Sequence, residues 1–185
     1  RLPLHLARLA ASATALGFCC DPEAVRVALP APAGPARVRL TLGAAGDPEV
    51  TGTALPPTSP EWRVGLAEAR LDPDDPWLRL KSTRRPHHDT ARAALPGALD
   101  EMLFLNSRDE LCEGTITNLF FDRGAGLRTP PLASGLLPGV LRAELLAQGC
   151  REEILTAADL AQVRLWVGNA LRGLIPARLA PIPGG

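Results

Sequence analysis

Lys81 is the only lysine among the chain's 20 basic residues; the other 19 are arginines. A lysine amine can lose its proton and form a Schiff base with an aldehyde, which a guanidinium cannot do. One lysine kept in a chain that otherwise uses arginine points to carbonyl chemistry, with survival by drift as the alternative. Glu113 follows 32 residues later, in the run Glu110-Leu-Cys-Glu113-Gly-Thr-Ile-Thr-Asn118-Leu-Phe-Phe. By residue type alone it is equally a solvated carboxylate beyond a turn. His87-His88-Asp89 offers metal-ligand types, but adjacent histidines do not converge on one ion and no third ligand is evident, so no metal is expected. Trp62, Trp77 and Trp166 are expected in the core or an interface rather than as substrate platforms.

Elements must position these residues. Apolar Leu2, Leu6, Leu9, Ala13 and Leu16 recur at helical spacing, and Gly17 and Pro22 bound the run, which predicts a helix over Leu2–Phe18. A short helix follows at Pro22–Leu29, then a loop over Pro30–Ala36. The alternation Arg37-Val-Arg-Leu-Thr-Leu42 predicts a half-exposed strand, and Trp62–Leu71 a second. Leu71-Asp-Pro-Asp-Asp-Pro-Trp77 contains a linker at 73–76 that separates a small subdomain, 1–72, from a larger one, 77–185. Beyond it, Thr90–Ala94 suits a helix. Glu101–Leu105 and Thr115–Phe121 suit two strands of a hairpin about a turn at Asp109-Glu110. Gly139–Gln148 is a helix stopped by Gly149, Arg164–Val167 a short strand, and Pro181–Gly185 a tail. The fold class is α+β in two subdomains.

Composition narrows the function. Twenty acidic residues balance the basic ones, so no nucleic-acid or anionic-membrane surface is expected. No apolar run reaches the roughly 20 residues of a membrane helix. Cys19, Cys20, Cys112 and Cys150 form no CxxC pair and read as free thiols of a cytoplasmic protein. A chain of 185 residues is long enough for a sizeable core.

Several motifs fall in one order along the chain. They are His5-Leu-Ala-Arg8-Leu-Ala-Ala-Ser12, Leu80-Lys81-Ser-Thr-Arg-Arg85, Leu99-Asp-Glu101-Met-Leu-Phe-Leu-Asn and the Glu113–Asn118 run. Thr129-Pro-Pro131, Leu137-Pro-Gly139-Val-Leu-Arg142 and Gly168-Asn169-Ala-Leu-Arg172-Gly173 follow. Together they resemble the class IV aminotransferase family, the fold-type IV pyridoxal-phosphate enzymes. The resemblance implies a small N-terminal α/β subdomain and a larger mixed-sheet pseudo-barrel. It also implies pyridoxal 5'-phosphate on Lys81, with Glu113 beside its ring nitrogen. Phosphate contacts would come from Arg8, the Val140 and Leu141 N–H groups at a helix start, and the Asn169-Ala170 loop. Asn118 would complete the cofactor site. Ala170 and Leu141 lack hydroxyls that many relatives carry there, and His88 falls near a position where relatives often have tyrosine. Relatives usually have a further N-terminal strand segment, not seen here, whose loss would expose a sheet edge.

Within the family, Lys81-Ser-Thr-Arg-Arg85, Leu136-Leu-Pro-Gly-Val140 and Asn169-Ala-Leu-Arg-Gly173 are most similar to aminodeoxychorismate lyases, including lyase domains fused to para-aminobenzoate synthase. That similarity implies conversion of 4-amino-4-deoxychorismate to 4-aminobenzoate and pyruvate, a step towards folate, with Arg85 on a substrate carboxylate. It also implies a homodimer, fused to or working with an aminodeoxychorismate synthase. A branched-chain or D-amino-acid transaminase and a non-catalytic descendant are the alternatives.

Overall fold

The computed structural model describes residues 1–31 and 33–180. Pro32, within the expected loop Pro30–Ala36, and the expected tail Pro181–Gly185 lie outside the described residues. The chain forms two compact units, Arg1–Thr58 and Ser59–Gly185.

In the smaller unit, α1 (Leu2–Leu16) ends at Gly17, whose φ of 68° turns the chain out of the helix. Asp21 caps α2 (Pro22–Ala28) by accepting the N–H groups of Glu23 and Ala24, and Pro22 occupies the first helical position. β1 (Ala36–Leu42) pairs antiparallel with β2 (Pro48–Ala54) along its whole length. β2 escaped the sequence reading because Pro48 and Gly52 weaken its strand pattern.

The larger unit contains β3 (Trp62–Leu71), α3 (Pro86–Ala93), β4 (Glu101–Asn106), β5 (Leu111–Gly114), β6 (Asn118–Asp122) and the short β7 (Arg128–Thr129). It continues with α4 (Val140–Ala147), the short β8 (Arg151–Glu152), β9 (Arg164–Asn169) and β10 (Gly173–Leu179). The strands run in the order β5-β4-β3-β10-β9-β6, and β6 pairs back onto β5, so six strands close into a barrel-like sheet. β7 and β8 extend from β6. The unit division precedes β3, ahead of the 73–76 linker expected from the prolines. β3 pairs in parallel with both β4 and β10, and those backbone bonds hold it in the larger unit.

Three apolar clusters explain the layers. One draws on all six ring strands (Trp62 and Val64, Leu103 and Leu105, Leu111, Leu119 and Phe121, Leu165 and Val167, Ile175) and therefore fills the barrel. A second, around Phe104, Cys112 and Leu71, packs Ala91 of α3 over β3, β4 and β5. The third packs Leu141, Leu145 and Leu146 of α4 over Phe120, Trp166 and Leu174 of β6, β9 and β10. Each helix thus covers one flank of the barrel, and the β5–β6 seam lies between the two flanks.

Three departures from the sequence expectations follow. Glu101–Leu105 does not pair with Thr115–Phe121. β4 turns at Asp109, which holds a φ of 61°, into β5, and a second tight turn over Gly114–Thr117 leads to β6. The β-branched Thr115-Ile-Thr117 imitates a strand, but these residues wrap around a buried carboxylate. β10 was not foreseen, because Pro176 argues against a central strand. Its pairing with β3 starts only at Ala177, so the missing N–H removes no bond on that side. α3 begins at Pro86, four residues before the helix expected at Thr90.

Candidate active site at the barrel seam

Register places Glu113 directly opposite Asn118, the pair that joins β5 to β6. Both side chains are buried. His88, buried on α3, brings Nε2 to 3.0 Å from Glu113 Oε1. Oε2 accepts the Leu137 N–H at 3.2 Å and the Asn118 amide at 3.4 Å. A buried carboxylate with several donors is a fixed negative charge, suited to a cationic nitrogen.

The segment before α4 is pinned across this pair. Asn118 Nδ2 donates to the Leu137 carbonyl at 3.0 Å. A Cβ on Gly139 would lie 1.8 Å from Asn118 Oδ1, so no side chain is tolerated there. α4 starts immediately afterwards without a side-chain cap. The N–H groups that open a helix have no intrahelical acceptors and concentrate positive potential, which suits a phosphate. Gly168 similarly has no room for a Cβ, which would meet Leu141 Cδ2 at 2.8 Å and the Gly173 carbonyl oxygen at 2.6 Å. The first turn of α4 and the Asn169–Arg172 turn are therefore neighbours. Asn169 shapes that turn by accepting the Leu171 and Arg172 N–H groups through Oδ1, and its Nδ2 donates to the Ile116 carbonyl at 3.2 Å.

Glu101 is the hidden anchor of this end of the barrel. Its fully buried carboxylate accepts the N–H groups of Thr115 and Ile116, both threonine hydroxyls of the 114–117 turn, and the Met102 N–H. Arg92 of α3 stands 3.6 Å away. Sequence reasoning counted Glu101 only as part of a motif; its signal was an acidic residue opening an otherwise apolar strand.

Lys81 is exposed in the loop between a 3₁₀ turn at Pro76–Arg79 and α3. The loop is braced by Arg84, whose guanidinium lies 4.3 Å from the Trp77 ring, and by the Ser82 hydroxyl accepting the Arg84 N–H at 3.2 Å. Arg85, expected on a substrate carboxylate, instead donates to the Thr115 carbonyl and pairs with Asp89 at 2.9 Å. It fastens α3 to the seam turn. Arg8 lies on α1 in the smaller unit. In that unit Arg37, Arg39, Thr51 and Thr53 also line an open hollow of about 200 Å³, whose guanidinium and hydroxyl donors suit a carboxylate. Of the tryptophans, Trp62 is in the barrel core and Trp166 packs under α4. Burial pushes the Cys112 thiol up to about 12, so it stays protonated beside the site. Among the described residues no cluster is arranged to hold a metal, and no helix is long and apolar enough to cross a membrane.

Glu113, Asn118, Val140, Leu141, Asn169 and Ala170 are thus gathered at one end of one barrel. Solved structures share this fold. A provisionally named amino-acid aminotransferase from Mesorhizobium loti is 45% identical and superposes with a TM-score of 0.91, over 97% of this chain and 91% of its own. The 4-amino-4-deoxychorismate lyase of Pseudomonas aeruginosa is 25% identical with a TM-score of 0.82, over 96% of this chain and 77% of its own. At 19% identity, the Escherichia coli branched-chain amino acid aminotransferase shares the fold, with a TM-score of 0.71 over 95% of this chain and 69% of its own. No curated protein matches the chain. The model of the amino-transferase class IV family matches residues 1–180, and the chain belongs to that family.

Proposed function

We propose that the chain is a pyridoxal-phosphate enzyme in which Lys81 carries the cofactor and Glu113 faces its ring nitrogen. The observation that carries this is the buried Glu113 carboxylate, held by His88, Asn118 and Leu137 next to an uncapped helix start. The donor set fits the group: an amine for the aldehyde, a fixed carboxylate for the pyridine nitrogen, and backbone N–H groups for the phosphate. The surface beneath Gly139 and Gly168 is closed to side chains on both sides of that helix start. Bound there, pyridoxal phosphate supplies an electron sink for bond cleavage next to a substrate amine. Glu113 holds the proton at the ring nitrogen. Val140 and Leu141 N–H groups, with the Asn169-Ala170 turn beside them, hold the phosphate. Lys81 Nζ would hold the aldehyde carbon and, once the substrate amine has displaced it there, would move the proton at the substrate carbon.

For the substrate, we propose 4-amino-4-deoxychorismate, cleaved to 4-aminobenzoate and pyruvate. Lys81-Ser-Thr-Arg-Arg85 and Asn169-Ala-Leu-Arg-Gly173 support this, as does similarity to the Pseudomonas aeruginosa lyase over nearly the whole chain. Arg85 is already committed to Thr115 and Asp89, so it acts by fixing α3 rather than by gripping a carboxylate. The name of the Mesorhizobium loti protein supports a second reading, an amino-acid transaminase. Product analysis separates them. The lyase yields 4-aminobenzoate and pyruvate in equal amounts with no keto acid added. Conversion of amino acids only when 2-oxoglutarate or pyruvate is supplied would establish the transaminase.

A further inference from the structure

We propose that His88 is a positioning residue of this site: its Nε2–H, donated to Glu113, keeps that carboxylate charged and so keeps a proton on the cofactor's ring nitrogen. The inference rests on the cofactor assignment above and adds to it a residue that acts only through Glu113.

His88 Nε2 meets Glu113 Oε1 at 3.0 Å, whereas Oε2 has the Leu137 N–H and the Asn118 amide. Both groups are nearly inaccessible, at 6% exposure for His88 and 5% for Glu113. Water therefore does not replace the bond if it is lost. The imidazole is held in place rather than merely near. Its ring packs at 49° against Phe104, with centroids 4.9 Å apart. The helix that carries it is fastened one turn earlier by Arg85 to the Thr115 carbonyl.

The other charges on α3 are engaged elsewhere. Arg85 pairs with Asp89, and Arg92 stands by Glu101. On β5, the Cys112 thiol is neutral and turned to the Ser134 carbonyl at 3.1 Å. No other cation on these two elements meets Glu113 among the described residues. Two lone pairs do not sit 3.0 Å apart in a buried site, so Nε2 carries the hydrogen. An N–H donated to a carboxylate favours its anionic form, and burial without that donor favours the acid. Without His88, Glu113 would keep only the Leu137 and Asn118 donors, so a shared proton would lie nearer the carboxylate and the ring would be a poorer electron sink.

The test uses the full chain loaded with pyridoxal phosphate labelled with nitrogen-15 in the ring, read by nitrogen NMR. The unaltered protein should show a pyridinium signal. His88→Leu should move it toward the neutral-pyridine position, and His88→Gln, which restores an N–H donor, should bring it back. Glu113→Gln should move it at least as far as His88→Leu. A pyridinium signal unchanged in His88→Leu, with Glu113→Gln shifted, would overturn the role of His88 and leave Glu113 at the ring. A signal unchanged in Glu113→Gln would instead remove Glu113 from the ring, and the role of His88 would go with it. If His88→Leu does not fold, the imidazole signals of the unaltered holoprotein decide, since the chain has only three histidines. Hydrogen on Nε2 of His88 is expected, and a bare Nε2 facing Glu113 would overturn the proposal.

Discussion

Glu113 collects its donors from three stretches far apart in sequence: α3, the first residue of β6, and the segment ahead of α4. A carboxylate so placed acts by charge more than by shape, and Glu113→Gln separates the two. Cofactor should remain bound through Lys81 and the helix start. Turnover should fall at least about 100-fold, about 2.7 kcal/mol of barrier. Near-normal turnover would place the carboxylate away from the ring. Lys81 allows a cleaner experiment, because no other side chain in the protein is a lysine amine. Borohydride reduction of the loaded protein should fix one cofactor on the peptide containing Leu80-Lys81-Ser82. Lys81→Arg should abolish both the label and turnover while the melting temperature stays close to normal, since this side chain is exposed. An arginine variant that folds and turns over at a comparable rate would remove Lys81 from the chemistry.

The elements that present these residues depend on close approaches. Gly139 is the tightest, because a Cβ would meet Asn118 Oδ1 at 1.8 Å. Gly139→Ala must displace Asn118, which holds both Leu137 and Glu113. It should cost about 1–3 kcal/mol of stability and also weaken pyridoxal-phosphate binding, measurable by titration. An alanine variant with unchanged affinity would show that Asn118 does not need its place against α4. Strongly periodic elements were legible in the sequence. α1 and β1 carry unbroken patterns between clear stops, and α4 has a glycine on each side. The residues proposed for the site were named through their motifs, whereas their supports were not. Glu101 looks like a surface charge until the 114–117 turn is seen folded around it. His88 declares itself only through a contact 25 residues away in sequence. β5 is four residues long, and β10 carries a proline, so neither has a local signal strong enough to outweigh its turn-forming neighbours.

At the scale of the molecule, α3 and α4 insulate opposite flanks of a barrel whose inner core is apolar throughout. The proposed chemistry would lie at the seam between them, where turns can vary without disturbing that core. The ring shuts there through one facing pair, Glu113 and Asn118, whereas β3 with β4 and β9 with β10 each share five. A hoop riveted once is weakest at the rivet, and here the rivet is the pair proposed to border the ligand. Any molecule that clamps Glu113 and the start of α4 also buckles the hoop shut, and its binding energy adds to the resistance of the whole ring to opening. Backbone amides of β5 and β6 should therefore exchange with deuterium faster without pyridoxal phosphate and slow markedly on loading, with little change in β1 and β2. Equal exchange in both states would uncouple the buckle from the ligand. If pyridoxal phosphate is the ligand and the coupling holds, vitamin supply would set how long each molecule survives proteolysis as well as how fast it turns over.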